Sequence, residues 1–196
     1  NFDVRNWREL DEAYAREAGK RYKLYDEADP IWRYRVAARG VDQQFGRLLD
    51  GLRELGIAND TVLLFLSDHG EGLGRDGFWV HSVFLWESLV HVPLLLRAPG
   101  VAPRVVQDVV SLVDVAPTLT RFMVSDAETE GYQGQDLLEY LVPGHPPRRL
   151  PLIMMSTLKE VPVRLGIIAP ASPWKLVLPL EGAVPELYDL RAADPD

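Results

Sequence analysis

Hydrophobic positions between residues 31 and 55 recur at spacings of three and four, which is typical of one buried face of an α-helix. Gly56 is a typical C-terminal stop for such a helix. The pattern predicts a helix whose buried stripe consists of Tyr34, Ala38, Val41, Phe45, Leu48, Leu49, Leu52 and Leu55.

Short apolar runs follow this helix. Thr61 to Leu66 is apolar on both faces, as a central strand covered by helices would be. Further buried strands are predicted at Val92 to Arg97 and at Val105 to Leu112. Asp114 is expected to cap a helix through "VAPTLTRFMV". This alternation of helix and strand predicts an α/β fold with a mostly parallel sheet.

The pattern changes after about residue 125, where a polar connection leads into the proline-rich linker "VPGHPPRRLP". His145 lies among these prolines and is expected to be exposed. Beyond the linker, "LPLIMMST", "VRLGIIAP" and "WKLVLPL" predict a small antiparallel sheet. The chain is therefore expected to have two parts, an α/β core over residues 1–142 and a C-terminal subdomain over residues 143–196.

Composition excludes several classes of function. The formal net charge of -8 and the scattered basic residues argue against nucleic-acid binding. No apolar run approaches the roughly 18 residues that a membrane span needs. The N-terminus has neither an initiator Met nor a signal-peptide pattern, so the chain is expected to begin within a longer protein. The absence of cysteine excludes disulfides but leaves the cellular compartment open.

The stretch "SDHGEG" follows the predicted strand that ends at Leu66. Ligands of open α/β sheets bind beyond the carboxyl ends of the strands, so this is where a metal or catalytic site is expected. Asp68 offers a carboxylate oxygen and His69 an imidazole nitrogen, and this pair can coordinate a divalent cation. The alternative is that Asp68 caps a turn and His69 is an ordinary loop histidine.

The whole segment resembles the sulfatase family of the alkaline-phosphatase superfamily. Its members show a strand, an S-D-H/N-G-E motif, a glycine-rich loop with a basic residue, a short helix carrying an acidic residue, then V-P-L and A-P-G. "SLVDVAPTL", "WKLVL" and "ELYDLRAADPD" resemble later family landmarks in the same order. The motifs from S-D-H/N-G-E to A-P-G correspond here, in order, to Ser67 to Glu71, Gly72 to Gly77, His81, Glu87, Val92 to Leu94 and Ala98 to Gly100.

The resemblance implies an alkaline-phosphatase-like fold in which Asp68 and His69 are metal ligands. His81 would contact sulfate or phosphate oxygens or reach a second metal, and its alternative is a hydrogen-bonded loop histidine. Glu71 would orient the loop or His69 rather than bind the ion directly. One divalent ion is implied, Ca²⁺ by the resemblance, although an Asp and His pair also suits Mn²⁺ or Zn²⁺.

Two basic residues are assigned lesser roles. Arg75 is expected to be a solvated loop charge, although it could approach an anionic substrate. Lys175 resembles the K-L of the family's C-terminal sheet, where a structural role is expected.

The family's nucleophile motif, C/S-x-P-S/A-R, has no counterpart in this chain. Sulfatases convert the Cys or Ser of that motif to formylglycine, so the nucleophile is expected in an absent N-terminal half that would also cover exposed apolar surface. The chain is thus expected to be part of a metal-dependent sulfatase that acts on a small sulfate ester or a sulfated glycan and is inactive alone. Two alternatives are a phosphotransferase or phosphodiesterase of the same superfamily, and a non-catalytic domain that binds a partner.

Overall fold

A computed structural model describes residues 30–74, 77–79, 81, 84–124, 131–142, 144–145, 148–158, 161–180, 182 and 184–192. The chain divides into two compact units, one of residues 1–63 with 97–99 and one of residues 64–96 with 100–196. The division expected between residues 142 and 143 stays a prediction. Within the described ranges, no helix combines the length and the apolar character that a membrane crossing requires.

The first unit contains the predicted helix, here α1, which spans Pro30–Glu54. Gly56 follows it with φ at 71°, a left-handed conformation that glycine adopts without steric cost. The predicted buried stripe is wrong, because the buried residues are Val36 and Gly40 on a different face. The sequence repeats apolar residues every seven positions on a face that stays open to solvent, with exposures of 45% to 73% at Tyr34, Val41, Leu48 and Leu55.

Strand β1 spans Leu63–Leu66 and strand β2 spans Leu94–Arg97, and the two form a two-stranded sheet. Both fall inside the predicted runs but begin two residues later. Between them lies a single helical turn, α2, at Glu87–Val90. The expectation of a mostly parallel sheet stays a prediction.

The strand predicted at Val105 to Leu112 is wrong. Residues 101–111 form no helix or strand, a 3-10 turn covers Leu112–Asp114, and helix α3 spans Val115–Met123. Val105 is 79% exposed, and among the described residues neither sheet includes this segment as a strand. Two further 3-10 turns cover Ala58–Asp60 and Leu137–Leu141.

The predicted N-cap position of α3 is confirmed, but the side-chain capping bond is absent. Asp114 immediately precedes the helix but makes no side-chain capping bond to it. Its carboxylate is fully buried and accepts from the backbone of Ser111 and Gln135 and from the guanidinium of Arg148. The carboxylate therefore joins α3 to the proline-rich linker.

The predicted antiparallel C-terminal sheet is confirmed. Strands β3 (Leu152–Leu158), β4 (Val161–Ile168), β5 (Trp174–Pro179) and β6 (Glu186–Asp189) pair in that order, and all three pairings are antiparallel. One face is buried and the other is largely open to solvent. The buried face carries Leu152, Ile168, Lys175 and Val177, and the open face carries Ile153, Met155 and Leu187.

His145 is not exposed as expected, since only 16% of its side chain reaches solvent. Its Nε2 lies 3.4 Å from a carboxylate oxygen of Asp108, and its ring lies 4.8 Å from the ring of buried Tyr140. The proline-rich linker therefore packs against the protein at this point instead of passing through solvent.

Candidate metal and anion site

Two short hydrogen bonds shape the loop after β1. The Ser67 hydroxyl donates to the carbonyl of His69 at 2.8 Å, and the backbone N–H of His69 donates to Asp68 Oδ1 at 2.9 Å. The backbone bond from His69 is the largest cause that holds the pKa of Asp68 below its ordinary value. The Asp68 side chain is 84% exposed, so it presents an ionised carboxylate to solvent.

Gly70 joins this loop to α2. Its N–H donates to the carbonyl of Leu89 at 2.8 Å. A Cβ atom at this position would lie 2.0 Å from the carbonyl oxygen of Ser88. Only glycine lets the two backbones approach this closely, which explains why the loop carries glycine directly after His69.

The tautomer of His69 follows from its neighbours. Its Nδ1 lies 2.9 Å from the carbonyl oxygen of Gly70. A carbonyl can only accept, so in the neutral ring the hydrogen lies on Nδ1 and Nε2 keeps its lone pair. This Nε2 lies 3.7 Å from Asp68 Oδ2. Two atoms at that separation can share one ion, because metal–ligand distances are about 2.0 to 2.6 Å each.

Two further side chains converge on His69. His81 Nδ1 lies 2.5 Å from Glu71 Oε1, and the rings of His69 and His81 stack with centroids 4.0 Å apart and planes inclined by 28°. A donor atom of each of His69, Glu71 and His81 lies within 4.8 Å of the others. These three residues, with Asp68 beside them, form the candidate site.

The donors present fit a divalent ion. The site offers imidazole nitrogens and carboxylate oxygens, the ligand types that Mn²⁺, Zn²⁺ and other first-row metals accept, and a carboxylate also suits Ca²⁺. His69 already has the orientation of a metal-ligating histidine, because one ring nitrogen donates to a backbone carbonyl and the other is free.

The structure brings together the residues singled out in the sequence. Asp68, His69 and His81 meet at the end of β1, while their roles stay predictions. Glu71 contacts His81 directly, a pairing that the sequence offered no spacing rule to foresee, since ten residues separate them. Arg75 lies outside the described residues.

The chain is similar to known proteins of one family. The family model described as Sulfatase matches residues 9–124, well over half of the chain. The chain belongs to the sulfatase family. Among relatives of this sulfatase-family chain, arylsulfatase K of Gallus gallus is 31% identical over 172 residues, which cover 83% of this chain and 32% of that protein.

Solved structures agree on the fold of this sulfatase-family chain. A protein in complex with its substrate D-glucosamine-2-N,6-O-disulfate matches with a TM-score of 0.62 at 22% identity, over 91% of this chain and 38% of that one. A phosphonate monoester hydrolase from Silicibacter pomeroyi matches with a TM-score of 0.66 at 23% identity, over 89% of this chain and 38% of that one. The chain spans about a third of the length of these relatives, with coverage of 32% for arylsulfatase K of Gallus gallus and 31% for that of Bos taurus.

Proposed function

We propose that this chain supplies the metal- and anion-binding loop of a metal-dependent hydrolase of sulfate esters. The observation that carries the proposal is the convergence of His69, Glu71 and His81 at the end of β1 in a sulfatase-family chain. The relatives are about three times as long, so we infer that the formylglycine nucleophile lies in a preceding segment and that the chain alone is inactive.

Asp68 and His69 are the proposed metal ligands. Free Nε2 of His69 and Oδ2 of Asp68 can face one ion, and the Ser67 and Gly70 contacts hold the loop in that shape. When bound, a divalent ion here would polarise a sulfate oxygen and lower the pKa of a coordinated nucleophile. Ca²⁺ follows from the family resemblance, whereas the nearby imidazoles favour Mn²⁺ or Zn²⁺.

His81 is the proposed contact for the substrate anion. Glu71 accepts the hydrogen of its Nδ1, which fixes the ring and leaves Nε2 for an oxygen of the sulfate group. Glu71 thus orients His81, and the N–H that Nε2 carries in the doubly protonated ring would donate to the sulfate oxygen. In this arrangement His81 holds the sulfate group, and Asp68 and His69 hold the ion.

The proposed substrates are aryl or sugar sulfates. One similar structure contains a disulfated glucosamine as its substrate, and a sulfated sugar is the substrate class that we carry over to this chain. A hydrolase of phosphate or phosphonate esters is the second candidate, favoured by the similar phosphonate monoester hydrolase. Both share the need for a bound ion and an anion contact.

The test measures turnover of 4-nitrophenyl sulfate, a sulfated glucosamine and a matched phosphate diester by the full-length gene product, with and without chelator. We expect chelator-sensitive sulfate hydrolysis that Asp68→Ala and His81→Ala each reduce by about 10²-fold or more. Asp50→Ala, which removes an exposed carboxylate on α1, is the control and should leave turnover unchanged. Faster cleavage of the diester than of the sulfates would favour the second candidate, and no hydrolysis of any ester would favour a non-catalytic domain.

A further inference from the structure

Lys175 on β5 is completely buried although its side chain is charged. Its Nζ donates to the carbonyl of Leu85 at 2.8 Å and to Glu87 Oε1 at 2.6 Å, and it lies 4.8 Å from the ring centroid of Tyr188. Burying a lysine is costly unless its charge is paired and hydrogen-bonded, as it is here. The C-terminal sheet therefore holds the segment of Leu85 and Glu87 by a directional, charged contact.

That segment leads back to the candidate site. Glu87 is the first residue of α2, and Leu89 in the same turn accepts the N–H of Gly70. Gly70 is the residue between His69 and Glu71, and its carbonyl accepts from the His69 ring. Two hydrogen-bonded steps thus connect the Lys175 ammonium, through α2, to the backbone that carries the site.

Apolar packing supports the same connection. Leu85 is buried, and one of its methyl carbons lies 2.9 Å from where a Cβ atom of Gly166 on β4 would stand. A larger residue at position 166 would push on the segment that Lys175 holds. The close fit limits how α2 can shift against β4 and β5.

We propose that Lys175 is a positioning residue for the candidate site, acting through Glu87 and α2 to fix Gly70 and hence the imidazole of His69. This inference rests on the proposed function only for the role of the site, since the hydrogen bonds that link Lys175 to Gly70 through Glu87 and Leu89 exist independently of any ion. The C-terminal sheet then serves the site directly, in addition to stabilising the chain.

The first experiment measures hydrogen exchange of the Gly70 amide by NMR in this chain. Lys175→Met keeps the length of the side chain but removes its charge and its hydrogen-bond donors. In this variant we expect the exchange rate of the Gly70 amide, divided by that of the β3 and β4 amides, to be about tenfold or more above the wild-type ratio. The control is Leu152→Ala, which removes a buried side chain two strands away on the same face. In Leu152→Ala, hydrogen exchange of the Gly70 amide and of the sheet amides should accelerate by similar factors.

Should Lys175→Met fail to fold, Glu87→Gln tests the same link, because it keeps an acceptor oxygen and removes the charge. We expect a smaller acceleration at Gly70 in the same direction. Equal protection of Gly70 in the wild type and in the folded variant would overturn the inference. So would acceleration that merely follows the sheet amides, as in Leu152→Ala.

The second experiment measures Mn²⁺ affinity of the full-length gene product. Lys175→Met should weaken Mn²⁺ binding by about 10-fold, the low end of the loss seen when residues that support metal ligands are replaced. Leu152→Ala should leave the Mn²⁺ affinity unchanged. Absence of Mn²⁺ binding by the wild type would contradict the proposed function, while the exchange of Gly70 still decides the positioning role. Normal Mn²⁺ affinity in Lys175→Met would overturn that role.

Discussion

Replacing Asp114 by alanine should destabilise the chain more than any surface substitution. The carboxylate is fully buried and accepts four hydrogen bonds. Two come from the backbone, at 2.7 Å from Ser111 and 2.8 Å from Gln135, and two from the guanidinium of Arg148, at 2.6 and 3.1 Å. Asp114→Ala leaves a cation that is only 7% exposed without its partner.

The expected loss follows from that geometry. Removing one partner of a buried ion pair costs about 3–5 kcal/mol, most of it from the uncompensated charge that remains. A domain is stable by only about 5–15 kcal/mol, so the variant should unfold at a much lower urea concentration. The double variant Asp114→Ala/Arg148→Met should recover part of the loss, because it removes both charges.

The assay is urea denaturation followed by circular dichroism. Asp50→Ala is the matched control, because Asp50 pairs with Arg53 at 2.8 Å with both side chains more than 60% exposed. Such a pair contributes about 0–1 kcal/mol. A loss below about 1 kcal/mol for Asp114→Ala, or a loss equal to that of Asp50→Ala, would refute the argument that burial makes the Asp114 pair important.

Three further predictions concern the loop after β1 and the buried Tyr140. Gly70→Ala should lower stability by about 1–3 kcal/mol in a thermal melt, because the new Cβ would meet the Ser88 carbonyl, whereas Gly46→Ala in open space on α1 should be neutral or stabilising. Asp68 should titrate below the ordinary aspartate range by NMR; its lowered pKa gives a contribution to stability that is present above the unfolded-state pKa and lost as the pH falls through the folded-state pKa. Burial raises the pKa of Tyr140, so its phenol should ionise at a higher pH than exposed tyrosines do. An ultraviolet titration of the wild type against Tyr140→Phe measures this. The associated stability should be present below the unfolded-state pKa and lost as the pH rises through the folded-state pKa.

Local sequence patterns predicted the elements whose pairing is itself local. The strands of the C-terminal sheet follow one another along the chain, so alternation and turn residues were sufficient to predict β3, β4 and β5, whereas β6 was not predicted. The strand expected near Val105 failed because apolar residues alone do not supply a neighbouring strand. The stripe on α1 was misassigned for a similar reason, since periodicity identifies an apolar face but not whether anything covers it.

The candidate site shows the same limit. The motif around Asp68 and His69 placed the loop at the end of β1, because a strand and its following loop are contiguous in sequence. The contact of Glu71 with His81 depends on how the intervening loop folds back. The contact of Lys175 with Glu87 spans 88 positions, and nothing in the local sequence around either residue specifies the other.

The most direct test of the central claim is electron spin-echo spectroscopy of Mn²⁺ bound to the full-length gene product. The account predicts a ¹⁴N coupling from imidazole that disappears in His69→Ala and persists in His91→Ala, since the His91 side chain is 80% exposed and lies outside the candidate site. Mn²⁺ that binds without any ¹⁴N coupling, or a coupling unchanged in His69→Ala, would contradict the assignment of His69 as a metal ligand.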